Sequence, residues 1–186
     1  KANPDLVSMS TSNNIPGQGF NGFGVIPEGY RAEDHLLANE IETDANFAST
    51  YKIQMAQGRF FSPQISTNTA DGIVINEAMA RSLNWTNPIG KKFEVYQSAK
   101  GKVIGVVKDF NFASLRESVQ PLVILLRNSP QYLNIKLKQG SSRSSLSYLE
   151  KTWKGFEQQN PFEYVFIGEQ LNKFYQSDIH LLNTLS

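Results

Sequence analysis

The 186-residue chain contains no cysteine. Disulfides, thiolate metal sites and thiol nucleophiles are therefore excluded within it, although a larger extracytoplasmic domain also manages without disulfides. There are only two histidines, His35 and His180. Neither belongs to an H-E-x-x-H helix or an EF-hand loop, so no metal site is expected. Neither sign of charge is in excess: 18 basic and 17 acidic residues leave a net charge of +1. That balance gives no broad footprint for nucleic acid or an anionic membrane. Long apolar runs are also missing. The longest, Leu122–Leu126, falls far short of the roughly 20 residues of a membrane span. Lys1-Ala2-Asn3-Pro4 lacks the apolar core of a signal peptide. The ends read as cut rather than finished, because a helical pattern from Leu171 to Leu185 is still running where the sequence stops. With 40% hydrophobic and 11% aromatic residues, the chain has the composition of a folded domain or of two small lobes.

Taken in order, Leu6 to Ser12 reads as a half-buried strand, with Val7 and Met9 alternating with Ser8 and Ser10. Residues 13–29 hold two prolines and five glycines and read as a loop. Gly17-Gln18-Gly19-Phe20-Asn21-Gly22 is a literal G-x-G-x-x-G. It lacks the preceding strand and following helix that pyrophosphate binding needs, so a plain glycine loop is expected. Leu36–Thr43 reads as a strand. Asp44 is a candidate helix cap, Phe47, Tyr51 and Met55 form one helical stripe, and Gly58 would end that helix.

The stretch Asp71–Pro121 reads as an insert with its own strand, helix and hairpin. Gly72–Ile75 is a buried strand, and Asn76 caps a helix Glu77–Leu83 whose inner face is Ala78, Met79 and Leu83. Asn87-Pro88-Ile89-Gly90 is a turn, and strands follow at Lys92–Tyr96 and Lys102–Lys108. After Pro121, residues 121–167 read β-β-α-β. The helix, Ser142–Gln158, is expected to bury Leu146, Leu149, Trp153 and Phe156. Strands with helices on one face imply an α+β layer.

No catalytic constellation is present. Glu77, Asp109 and Glu117 border turns, but nothing in their spacing singles them out. Phe20, Phe23, Phe110 and Phe112 are candidate partner contacts, weighed against burial of the same rings.

Five motifs in order resemble one family: Gly58-Arg59-Phe60-Phe61-Ser62; Ile73-Val74-Ile75-Asn76-Glu77-Ala78; Asn87-Pro88-Ile89-Gly90-Lys91; Ile104-Gly105-Val106-Val107-Lys108-Asp109-Phe110; and the later Pro121, Trp153 and Phe174-Tyr175. Together they resemble the extracytoplasmic, MacB-like periplasmic core domain of FtsX/MacB-type ABC transporter permeases, in the style found in Bacteroidetes. The resemblance implies an α+β fold of two lobes. A porter-like lobe of residues 1–57 and 121–178 is interrupted by a smaller Sabre-like lobe, 58–120, and 179–186 starts the connection to a transmembrane helix. It assigns structural roles to Gly58, Arg59, Asn76, Glu77, Pro88, Gly90, Gly105, Asp109, Pro121 and Trp153. It implies a non-enzymatic, mechanical role without cofactor or metal. Its partners would be the permease helices of the same chain, a separate cytoplasmic ATPase, a second permease copy and a periplasmic protein, with no nucleic acid. Two other readings follow from the residues alone. One is a free-standing secreted binding module that uses the glycine loop and the aromatics. The other is a small hydrolase, which requires a pocket where acids such as Glu77 and Asp109 converge.

Overall fold

Nine strands hydrogen-bond into a single mixed sheet in the computed structural model, which describes residues 3–16, 22–62, 72–110, 118–127, 130–157 and 159–170. In chain order the elements are β1 (Leu6–Ser12), β2 (Gly22–Pro27), a 3-10 turn (Ala32–Asp34), β3 (Leu37–Thr43), α1 (Phe47–Tyr51), β4 (Met55–Gly58), β5 (Gly72–Asn76), α2 (Glu77–Ser82), β6 (Lys92–Val95), β7 (Ala99–Val107), β8 (Leu122–Leu126), β9 (Tyr132–Leu137) and α3 (Ser142–Phe156). The strand order is β2-β6-β7-β5-β8-β3-β1-β9, with β4 added on β7. The pairs β3–β8 and β5–β7 are parallel, and the others are antiparallel. The fold is α+β with strands dominating.

A further pairing closes six of these strands into a ring. The first half of β2 pairs with β3, through Gly22↔Asn39 and Gly24↔Leu37, and its second half with β6, through Val25↔Val95 and Pro27↔Phe93. Residues 13–29 are therefore not loop throughout, as their glycines suggested. Val25 and Pro27, two apart, are buried while Phe23 is exposed. The signal was a two-residue period hidden among turn-forming residues.

Alternation along the central strands builds a core on each face. Val25, Ile73, Ile75, Phe93, Val95, Val103, Val123 and Leu125 belong to one, joined by Met79 and Leu83 from α2 and its end. Val74, Leu122 and Ile124, one position out of phase, join Ile41, Phe47 and Phe61 in the other. This is why β5 and β8 read as unbroken apolar runs: both of their faces are covered. Strands of the expected insert, β5 and β7, and strands outside it, β3 and β8, thus share one sheet and both cores.

Four expectations need correction. The helix through Met55 stops at Tyr51, where Lys52 turns left-handed with φ 57°, and Met55–Gly58 is a strand. The open edge of β7 at Gly105–Val107 takes these residues as a ladder partner, which overrides the helical spacing. Asp44 does not cap α1. Its Oδ2 accepts from the Thr11 N–H at 3.0 Å and its Oδ1 from the Asn46 N–H at 3.0 Å. In β1 the inward face is polar: Ser10 and Ser12 are buried, and Val7 and Met9 are exposed. On that polar face Asn134 of β9 donates to Ser12 Oγ at 2.9 Å and accepts from Tyr51 of α1 at 2.9 Å. Phe162–Ile167 forms no strand; the rings of Phe162 and Tyr164 meet tilted and those of Tyr164 and Phe166 edge to face. Residues 121–167 therefore read β-β-α. The expected helix from Leu171 lies outside the described residues.

The expected buried face of α3 is also mostly open among the described residues. Leu146 and Leu149 are half-buried, Trp153 is 39% exposed and Phe156 is 88% exposed. Trp153 Nε1 donates to the Asn160 carbonyl at 3.1 Å, which ties the helix to the following turn rather than to a core. Trp153→Ala is accordingly expected to cost under about 1 kcal/mol in a denaturant melt, not the roughly 3–5 of a core tryptophan. A loss of about 3 kcal/mol would restore the buried-face reading.

A clasp at the strand–helix junction

The family-motif residues gather at two points. The first is the end of β5. Asn76 is fully buried, and its Oδ1 accepts from the Met79 N–H at 2.9 Å, capping α2. The same oxygen accepts from the Leu122 N–H at 2.9 Å, while Nδ2 donates to the Gln120 carbonyl at 2.9 Å. One side chain thus fixes the helix start and the first residue of β8, 46 positions away. Beside it Glu77 and Asp109 interlock. Glu77 Oε2 accepts from the Asp109 N–H at 3.1 Å, and Asp109 Oδ1 accepts from the Ala78 N–H at 2.9 Å. Asp109 also pairs with Arg81. A carboxylate at a helix N-terminus meets unpaired N–H groups and the favourable end of the dipole. The Arg81 side chain is 63% exposed, so this pair adds at most about 1 kcal/mol. Pro121 completes the junction, its carbonyl accepting from the Asn39 N–H at 2.9 Å.

The second point is the β4–β7 crossing, where Gly58 lies opposite Gly105. A Cβ on Gly105 would overlap the Arg59 carbonyl oxygen and sit 2.7 Å from Met55 Cε. A Cβ on Gly58 would overlap the Ile104 carbonyl oxygen, and the φ of 64° there disfavours other residues. The two glycines are thus one close approach of backbones. The Pro88–Gly90 turn braces the same region: Gly90 donates to the Val103 carbonyl at 2.8 Å.

The structure therefore brings together Asn76, Glu77, Asp109 and Pro121, and separately Gly58, Arg59, Gly90 and Gly105. Trp153 lies outside both groups. Of the four candidate contact phenylalanines, Phe23 is 37% exposed. Phe110 packs against the second core, and Phe20 and Phe112 lie outside the described residues. Glu77 and Asp109 do meet, but each carboxylate is engaged by a backbone N–H in a structural clasp. Among the described residues no three acidic or histidine side chains are grouped to hold a metal.

Sequence reasoning missed Glu40. It sits on β3 with 6% exposure, and its Oε2 has no hydrogen-bond partner. Burial pushes its carboxyl above the ordinary range, against the opposing pull of Ser98 and Arg127. The only hint in the sequence was an acidic residue in register with inward positions of β3. Its folded form holds a proton to higher pH than the unfolded chain does. Stability is therefore expected to fall as pH rises from the ordinary glutamate range through the raised one. Melts of Glu40→Gln against the parent check this: the variant should gain on the parent as pH rises through that window. A gap that does not change with pH would contradict it.

The fold and the clasp define a strand-dominated α+β domain whose motif residues serve its own architecture. Over residues 18–147 the sequence matches the MacB-like periplasmic core domain, and the chain belongs to that family. No curated protein sequence gives a match. Among solved structures, the periplasmic region of MacB from Actinobacillus actinomycetemcomitans superposes with a TM-score of 0.60 at 12% identity, covering 93% of this chain and 78% of that one. The extracellular domain of the noncanonic ABC-type transporter YknZ from Gram-positive bacteria gives 0.61 at 12% identity, covering 84% and 79%. At these identities the likeness shows the shared fold. Among the described residues no helix is long and apolar enough to cross a membrane. The family is one of transporter permease domains, not a known class of enzyme.

Proposed function

We propose that this domain works mechanically. It stands on the outer side of the cytoplasmic membrane within a permease chain, passes on movement driven by cytoplasmic ATP hydrolysis, and performs no chemistry itself. One observation carries this reading. Asn76 ties β5, α2 and β8 into a single knot, and both cores are shared across the boundaries expected at 58 and 120. A body knotted in this way moves as a unit when its flanking segments shift, which suits hinge or shear transmission. The partition into 1–57 with 121–178 and an inserted 58–120 is proposed in a restricted form. The two parts differ in connectivity but act as one rigid piece.

The proposed partners are the membrane helices of the same chain, a separate ATPase, a second permease copy and a protein outside the membrane. Phe23, exposed on β2 beside the glycine-rich stretch, is the proposed contact for that last partner. A photoreactive residue at position 23 of the full permease, activated in cells, tests it. Crosslinking to a separate extracytoplasmic protein is the expected result. Crosslinks confined to the permease itself would remove Phe23 from the contact.

A further inference from the structure

The outer faces of β6 and β7 carry an arrangement that folding alone does not call for. Lys92 lies directly opposite Lys102 on these antiparallel strands. Like charges placed so destabilise a sheet. Both lysines are exposed, and neither makes an ion pair among the described residues, although the Lys92 charge also acts at longer range on Glu28. Their neighbours are matched. Lys100 pairs with Glu94, its cross-strand partner, at 2.9 Å. Lys91 reaches Glu28 at 3.2 Å and lies over the Trp85 ring. The second Glu28 oxygen is taken by the Lys92 backbone N–H at 3.1 Å. The Lys92–Lys102 pair opens onto a cleft of about 700 Å³. Four basic residues line it (Arg59, Lys92, Lys100 and Lys102) against two acidic ones (Glu28 and Glu94). Half-buried Ile26, Tyr30 and Ile104 supply apolar wall.

Two ammonium groups outside any direct ion pair, beside an apolar wall, are complementary to a molecule with an anionic head and a hydrocarbon portion. The volume is in the range of small-molecule sites. We propose that this cleft binds a single-chain amphipathic anion. Its head lies between the Lys92 and Lys102 ammonium groups, near Arg59, and its chain lies over Ile26, Tyr30 and Ile104. The head is a carboxylate or a phosphate monoester. The inference is independent of the mechanical role, because the clasp residues take no part in the cleft.

Titration of the 186-residue chain, followed by backbone amide NMR below the micellar concentration of each probe, tests the site. The probes are decanoate, decyl phosphate, neutral decyl maltoside and a short acidic peptide. An anionic amphiphile is expected to give saturable shifts confined to residues 26–30, 59, 92–94 and 100–104. Tighter binding of decanoate assigns a carboxylate head, and tighter binding of decyl phosphate a phosphate head. Lys92→Gln and Lys102→Gln should each weaken binding about tenfold, as loss of one charge-assisted contact does. Both variants should melt at or above the parent temperature, since each relieves the cross-strand repulsion, so weaker binding in them is not unfolding. Equal affinity for decyl maltoside, equal affinity for the acidic peptide, unchanged binding in both lysine variants, or no saturable shift with either anion would each overturn the proposal.

Discussion

Gly105→Ala is expected to destabilise the domain by about 3 kcal/mol, near the upper end of overpacking costs. The reason is local and steric. At Gly105 the new methyl would meet a backbone carbonyl, that of Arg59, as well as Met55 Cε. A side-chain end can swing away, but this carbonyl belongs to a segment whose N–H already donates to the Ile104 carbonyl at 3.1 Å. Relief requires parting β4 from β7, which loses the edge ladder and loosens Met55 from the second core. A contrast sharpens the test. Gly140 has φ 81° but open space around its Cβ position, so Gly140→Ala should cost only about 1 kcal/mol of backbone strain. Denaturant melts of both variants give the comparison. Equal losses would show that the Gly58–Gly105 approach is not tight.

Asn76→Ala is expected to cost about 4 kcal/mol. The substitution strands the N–H groups of Met79 and Leu122 and the carbonyl of Gln120, which Asn76 now satisfies inside the protein. A buried polar group left without a partner costs about 1–3 kcal/mol, and part of the sum is recovered if water enters. Loss of the helix cap accounts for about 1 kcal/mol of it. Amide exchange provides a second readout: protection at Met79 and Leu122 should fall together, though they lie on different elements. A loss under 1 kcal/mol, or protection retained at Leu122, would mean the knot does not hold β8.

Much of this architecture was legible in the sequence, for identifiable reasons. The strand–cap–helix step at Gly72–Ser82 was clear because apolar run, capping asparagine and first-turn glutamate all agree. The hairpin of β6 and β7 and the strands β8 and β9 followed from turn residues and alternation. What was not legible depended on tertiary partners. Met55 sits at helical spacing from Phe47 and Tyr51, yet the free edge of β7 claims it. Val7 and Met9 look like a core face, but serine and asparagine contacts with α1 set which side of β1 turns inward. The heptad-like stripe of α3 is real as a pattern and mostly uncovered as a surface among the described residues. At the candidate site, Asn76 could be read as a helix cap. Its two bonds to Gln120 and Leu122 join positions more than 40 residues apart and left no local trace.

The central claim is that the domain moves as one body. The absence of cysteine from these 186 residues simplifies the measurement, because introduced cysteines take spin labels without background from this domain. Labels at Val7 on β1 and Lys100 on β7, both exposed, place one probe in each of the two parts, 1–57 and 58–120. Their separation is measured by pulsed electron paramagnetic resonance in the full permease with its ATPase, without nucleotide and with ATP trapped. A rigid unit keeps the Val7–Lys100 distance constant between the two states, while the distance between Lys100 labels on two permease copies changes. A Val7–Lys100 distance that shifts with nucleotide, with the copies fixed relative to each other, would contradict it.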